Sequence, residues 1–144
     1  MSAYTKDFNG IVQAIVTDAI IFPPFEDGDI PGYRFYTENA AWDTGAEITI
    51  ISPEVAKALS LKPIGKANVM GIGGDDTAEV YKVTLALPDK KLYRDFFVYC
   101  AEMDYELLIG MDIISQLDFC ITNAGSNTTL TFRHPSQERI DFTS

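Results

Sequence analysis

The chain has 144 residues, 47% of them apolar and 22% charged. That length holds one ordinary domain but not two full-sized ones, and nine Phe, seven Tyr and one Trp are bulk enough for a real core, which excludes global disorder. Eleven Lys and Arg against 21 Asp and Glu leave a formal charge of −10, which lacks the cationic footprint that nucleic acid requires and is repelled by anionic membrane surfaces.

The single histidine, His134, and the two cysteines, Cys100 and Cys120, are scattered without metal-ligand spacing, so neither a metal nor another cofactor is expected. No stretch approaches the roughly 18 apolar residues that span a bilayer. The segment from Ile11 to Phe22 is interrupted by Gln13, Thr17 and Asp18, and residues 1–10 carry Lys6 and Asp7 without a signal-peptide pattern. The expectation is a cytoplasmic protein with reduced thiols and no membrane contact.

In chain order, residues 8–22 are rich in Ile and Val and predict a strand or a bent pair of strands, stopped by Pro23 and Pro24. Glu26 to Gly32 forms an acidic loop. Residues 33–42 resume an extended segment, and Glu47 to Ile51 follows after a break at Asp43-Thr44-Gly45. Ser52-Pro53-Glu54 is the clearest helix start, Ser at the N-cap and Pro at the first helical position; Pro63 ends that helix by about Leu61, after some two and a half turns. Residues 67–72 and 77–87 predict a hairpin with a glycine-rich tip, since Tyr81, Val83, Leu85 and Leu87 alternate with Lys82, Thr84 and Ala86. Leu92–Cys100 and Leu107–Ile109 read as strands, Asp112–Leu117 as a turn or two of helix, and Phe119–Thr122 with Thr129–Phe132 as closing strands. The predicted class is mainly β, with one or two short helices.

Taken singly, three segments are bland. Asp43-Thr44-Gly45 alone is a β-turn, Gly71-Ile72-Gly73-Gly74 a tight hairpin tip, and Leu107-Leu108-Ile109-Gly110 a buried strand end. Their ordered conjunction is not bland. Asp43-Thr44-Gly45-Ala46 between two apolar strands, a glycine-tipped hairpin, then Leu108-Ile109-Gly110 followed by Asp112-Ile113-Ile114 resembles the retropepsin family, dimeric aspartic proteases of the retroviral and retrotransposon kind. The resemblance covers about residues 33–133. It implies a closed β-barrel, the single lobe of an acid protease, spanning 1–144 as one domain, with residues 1–32 as an N-terminal strand and loop extension.

What the resemblance implies for the site is specific. Asp43 would be the catalytic carboxylate, with Thr44 and Gly45 supporting it. Ala46, Glu47, Ile48, Ile50 and Leu108 would contact substrate, and Met70, Gly71, Ile72, Gly73 and Gly74 would form a flap closing over it. Hydrolysis without metal or covalent nucleophile needs one group to deprotonate water and another to protonate the carbonyl oxygen, and two adjoining carboxyls sharing one proton supply both. The chain has one Asp-Thr-Gly, so the second carboxyl must come from a second copy meeting the first on a two-fold axis. The expected activity is thus that of a homodimeric aspartic endopeptidase acting on polypeptides. Met111 stands where viral members commonly carry Arg, and Trp42 is bulkier than the usual aliphatic neighbour of the Asp.

Other readings meet obstacles in the residues themselves. A serine hydrolase would have to use His134, but no Gly-x-Ser-x-Gly is present. Asp76 stands where a dinucleotide fingerprint requires its third glycine. Asp75-Asp76 and Asp27-Gly28-Asp29 lack EF-hand spacing and read as solvated acidic loops. The rival of a different class is a homodimeric retropepsin-like module that binds peptides without turnover, against which the intact Asp43-Thr44-Gly45 argues.

Overall fold

The computed structural model describes residues 1–26, 28–71 and 74–144. Ten strands, two short α-helices and one 3₁₀ turn follow one another as β1 (Ser2–Asp7), β2 (Val16–Phe22), β3 (Phe35–Trp42), β4 (Ile50–Ile51), α1 (Pro53–Ala58), β5 (Gly65–Gly71), β6 (Gly74–Ala86), β7 (Leu92–Cys100), β8 (Leu107–Ile109), α2 (Met111–Ile114), β9 (Asp118–Thr122), a 3₁₀ turn (Ala124–Ser126) and β10 (Thr129–His134). The fold is mainly β with two short helices, as the sequence predicts.

Six strands close on themselves in the order β2-β3-β8-β4-β7-β6, and β6 returns to β2 through Ile20↔Ala86, Ile21↔Leu85 and Phe22↔Thr84. Closure leaves no open edge in the ring. The long strand β6 is shared three ways: it pairs with β5 up to Val80, with β7 from Val80 onward, and with β2 at its end. A register shift between Val83 and Leu85 lets it turn from one partner to the next. Tyr81, Val83, Leu85 and Leu87 all face inward, as their alternation requires. With Ile21, Ile51, Val98, Leu107, Ile109 and Ile113 they form one core, each fully buried side chain contributing about 1.5–3 kcal/mol.

A second sheet, β1-β10-β9, lies against the barrel through Leu130 and Phe132. Here the structure differs from the sequence reading. The extended segment expected at 8–22 is a strand only from Val16, while Ser2–Asp7, which has no hydrophobic run, is a strand paired along its length with β10. The ladder, not propensity, makes that strand: Ser2↔His134 through Asp7↔Thr129 are partners 132 to 122 residues apart in the chain. Residues before 33 therefore build part of both sheets. Glu47–Ile51 forms a ladder only at Ile50 and Ile51. The helix α1 starts where expected, Val55 N–H donating to the Ser52 hydroxyl at 3.4 Å, but ends at Ala58 rather than near Leu61, because Ser60 turns left-handed with φ of 51°. In the hairpin, β5 and β6 pair as far as Gly71↔Gly74. Ile72 and Gly73 lie outside the described residues, and Met70, Gly71 and Gly74 are described only by their backbone pairing.

After β10, the chain is held by Ser136 N–H donating to Gln116 O at 3.0 Å and by one carboxylate. Asp118 accepts from the Ser136 hydroxyl, from Gln137 N–H at 2.9 Å, from Arg133 Nε at 2.7 Å and from Glu138 N–H at 3.3 Å. These donors, Ser136 first, hold its carboxyl well below the usual carboxylate range. A lowered folded value means a contribution to stability that is complete above the unfolded value near 4 and is lost as pH falls through the folded one. The segment 135–138 is thus expected to stay docked through weakly acidic pH and to loosen only in strong acid. Asp118→Asn should speed amide exchange at Gln137 and Glu138 already at neutral pH; exchange equal to wild type would refute the anchor.

Candidate active site

The site is set by how three strands thread. Strand β8 lies between β3, to which it runs parallel (Trp42↔Ile109), and β4, to which it is antiparallel (Ile50↔Leu108). The loop from Asp43 to Thr49 must therefore cross over the end of β8, and it does so at Gly110. An ideal Cβ on Gly110 would stand 2.9 Å from the Ala46 carbonyl oxygen and 3.0 Å from Ile48 backbone carbon and oxygen, so only glycine permits the crossing.

The loop is pinned on both sides. Asp43 N–H donates to Ile109 O at 2.9 Å, Ala46 N–H to Asp43 O at 3.2 Å, Met111 N–H to Ala46 O at 2.7 Å and Asp112 N–H to Glu47 O at 3.1 Å. The Asp43 carboxyl, half-buried, accepts from Gly45 N–H at 2.8 Å through Oδ1, which closes the turn and orients the group. Thr44 and Gly45 are exposed. A second carboxylate, Asp112, holds the far end: it takes Thr49 N–H at 2.9 Å and the Thr49 hydroxyl at 2.7 Å on its two oxygens. The fully buried Thr49 hydroxyl in turn accepts from Gly110 N–H at 3.2 Å. Hydrogen bonds to a charged acceptor contribute about 1.5–3 kcal/mol each. Thr49→Val, which removes the hydroxyl and strands both partners, should lower stability by about 1–3 kcal/mol, whereas Thr49→Ser should lose much less. Urea midpoints that do not separate the two variants would contradict this.

Beside the turn runs a groove of about 500 Å³ lined by Gly45, Ala46, Glu47, Ile48, Ile50, Asn68, Val69 and Tyr99. Five of the residues singled out from sequence thus meet at one surface with Asp43. Leu108 stands in the ladder between Ala41 and Ile50, on the same face as Ile50 but not among the lining residues of the groove. Asn68, Val69 and Tyr99 were not expected. Tyr99 arrives because β4 pairs in parallel with β7, Ile50↔Tyr99, a contact between residues 49 apart in the chain that no local pattern announces. Asn68 and Val69 come from β5, close enough to the glycine tip that the hairpin pattern alone could have suggested them.

Among the described residues no group of three or more metal-ligating side chains is found, and no helix is long and apolar enough to cross a membrane.

Comparison with known proteins agrees with this geometry. A family model described as "gag-polyprotein putative aspartyl protease" matches residues 36–116. A crystal structure of a retropepsin-like aspartic protease from Rickettsia conorii superposes with a TM-score of 0.53 at 15% identity, over 91% of this chain and 94% of that one. The solution structure of the simian foamy virus (mac) protease superposes with a TM-score of 0.45 at 24% identity, over 70% of this chain and 92% of that one. No curated protein sequence matches. Because the family model spans more than half of the chain and contains both Asp43-Thr44-Gly45 and the crossing at Gly110, the chain belongs to the gag-polyprotein aspartyl protease family, among the retropepsin-like aspartic proteases.

Proposed function

We propose that this protein is an aspartic endopeptidase in which two copies, each a single domain of residues 1–144, bring their Asp43 carboxyls together on a two-fold axis. The observation that carries the reading is the placement of Asp43: a carboxyl held by Gly45 N–H on a doubly pinned turn, next to a groove with apolar walls at Ala46, Ile48, Ile50 and Val69. One such turn per chain provides one carboxyl, and the chemistry needs two.

In the working enzyme a peptide lies extended along the groove. Ala46, Ile48, Ile50 and Val69 take its apolar side chains, with Leu108 beside Ile50, while Glu47, Asn68 and Tyr99 meet its polar groups. Residues 70–74 act as the flap, excluding water and supplying main-chain hydrogen bonds. Water sits between the two Asp43 carboxyls. The ionised one takes its proton as the oxygen attacks the peptide carbonyl; the protonated one gives its proton to the carbonyl oxygen. Collapse of the tetrahedral intermediate breaks the C–N bond: the newly protonated Asp43 gives its proton to the leaving nitrogen, and a hydroxyl of the diol returns its proton to the other Asp43, which leaves a carboxylic acid, an amine and the pair with its one shared proton. The two free thiols, Cys100 and Cys120, accord with a cytoplasmic location.

The test is cleavage of a denatured protein substrate as a function of pH, with and without EDTA, at several enzyme concentrations. The expected profile is bell-shaped with an acidic to weakly acidic optimum, because one carboxyl must be ionised while its mate keeps a proton. EDTA should have no effect, and specific activity should rise with the dimer fraction. Inhibition by EDTA, a rate still rising through pH 9, or full activity from a monomer would reject the mechanism. A dimer that binds peptide and cleaves nothing at any pH would establish the non-catalytic binding module instead.

A further inference from the structure

Trp42, the one tryptophan of the chain, stands immediately before Asp43 and is more closely specified than core filling requires. Its backbone N–H donates to Ile15 O at 2.9 Å. Its indole Nε1–H donates to the Thr17 hydroxyl at 2.9 Å in a buried bond, Thr17 being wholly shielded from solvent and Trp42 only 7% exposed. The Thr17 hydroxyl in turn donates to Asp18 O at 3.1 Å, which orients the lone pair that meets the indole. Strand β2 shifts register against β3 between Thr17 and Ala19, and such irregularities re-aim the side chains beside them. The indole also packs on Phe132 with ring centroids 4.8 Å apart and on Phe119 at 5.6 Å, and Phe132 packs in turn on Tyr4 at 5.7 Å. One ring thus joins the end of β3 to β2, β9 and β10, and through Phe132 to β1.

An aliphatic side chain could fill this volume; what the indole adds is a directional bond at the base of the catalytic turn. We propose that Trp42 is a positioning residue for Asp43. Its Thr17-anchored indole sets where β3 ends and hence where the Asp43 carboxyl is presented, and it ties that placement to the packing of the β1-β10-β9 sheet. The proposal rests on reading Asp43 as a catalytic carboxylate. A Cα step is about 3.8 Å, so a small rotation of Trp42 is carried directly into Asp43. A misplacement of about 1 Å in a catalytic group can cost on the order of a hundredfold in rate.

The experiment compares Thr17→Val, which removes the acceptor, Trp42→Phe, which removes the donor and keeps a ring, the double variant, and Thr17→Ser, which keeps the hydroxyl. Turnover and amide exchange are measured at a temperature where all are folded. The expected result is a kcat at least tenfold lower in Thr17→Val and Trp42→Phe with KM within twofold, and wild-type turnover in Thr17→Ser. The amides of Asp43 and Ala46 should exchange at least tenfold faster in the two single variants, while Ile64, whose N–H donates to Val80 O at 2.8 Å next to the β5–β6 pairing, is unchanged. In the double variant no indole N–H is left without an acceptor, so the stability lost in Thr17→Val should not add to that lost in Trp42→Phe, while turnover and Asp43 protection stay at the single-variant level. Recovery of both in the double variant, or Asp43, Ala46 and Ile64 shifting together, would reduce Trp42 to a core residue and overturn the proposal. If the wild type itself cleaves no peptide, the protease reading fails, and the exchange arm still decides whether Trp42 positions Asp43.

Discussion

Asp43→Asn is expected to lower peptide cleavage by about a thousandfold or more while leaving the protein folded. The size follows from what the carboxyl does: general acid–base catalysis typically contributes about 10²–10⁴-fold, and in a symmetric dimer one substitution removes both members of the pair. The fold should survive because Asn presents the same shape and its carbonyl oxygen can still accept the Gly45 N–H that Asp43 Oδ1 accepts at 2.8 Å. With two neutral amides facing each other, the repulsion between like charges disappears, so dimer stability should hold or rise slightly. Cleavage assays beside sedimentation and thermal unfolding check this. Unchanged cleavage would show that Asp43 is not the base, and an unfolded variant would show that the carboxylate is structural.

Gly110→Ala is expected to damage stability and activity together. The added methyl would meet backbone, not movable side chains: Ala46 O at 2.9 Å and Ile48 carbon and oxygen at 3.0 Å. Overpacking a well-fitted site typically costs about 1–3 kcal/mol. Relief can come only by lifting the 46–48 segment, which carries one wall of the groove and takes hydrogen bonds from Met111 and Asp112. Turnover should therefore fall far beyond the loss of folded protein. A variant with wild-type melting temperature and wild-type turnover would show that the crossing has slack.

How much of this was legible beforehand varies with the range of the interaction that decides each element. The helix start at Ser52-Pro53 was legible because capping is local, three residues long. The strands β7 and β8 matched their predicted bounds because their apolar residues suffice to mark them. Strand β1 was missed because Ser2–Asp7 carries no strand signal of its own; it exists only through β10, more than 120 residues away. The premature end of α1 was missed because a serine in the left-handed region at residue 60 breaks local preference. The ladder at Ile50–Ile51 is shorter than the apolar run around it because Thr49 is claimed by Asp112 instead.

The candidate site divides in the same way. The sequence by itself determined the motifs: a single Asp43 in an Asp-Thr-Gly turn between apolar strands, a glycine hairpin and a Leu-Ile-Gly segment, in an order that identifies the family. Those are matters of residue type and short spacing, which a chain displays without folding. Only the tertiary structure decided which side chains join Asp43. Tyr99 reaches the groove through the parallel pairing of β4 with β7, Asp112 reaches Thr49 because β8 slots between β3 and β4, and Thr17 reaches the Trp42 indole across β2 and β3. Each of these contacts is set by strand register and crossing geometry, energies shared among distant segments, and no window of sequence contains both partners.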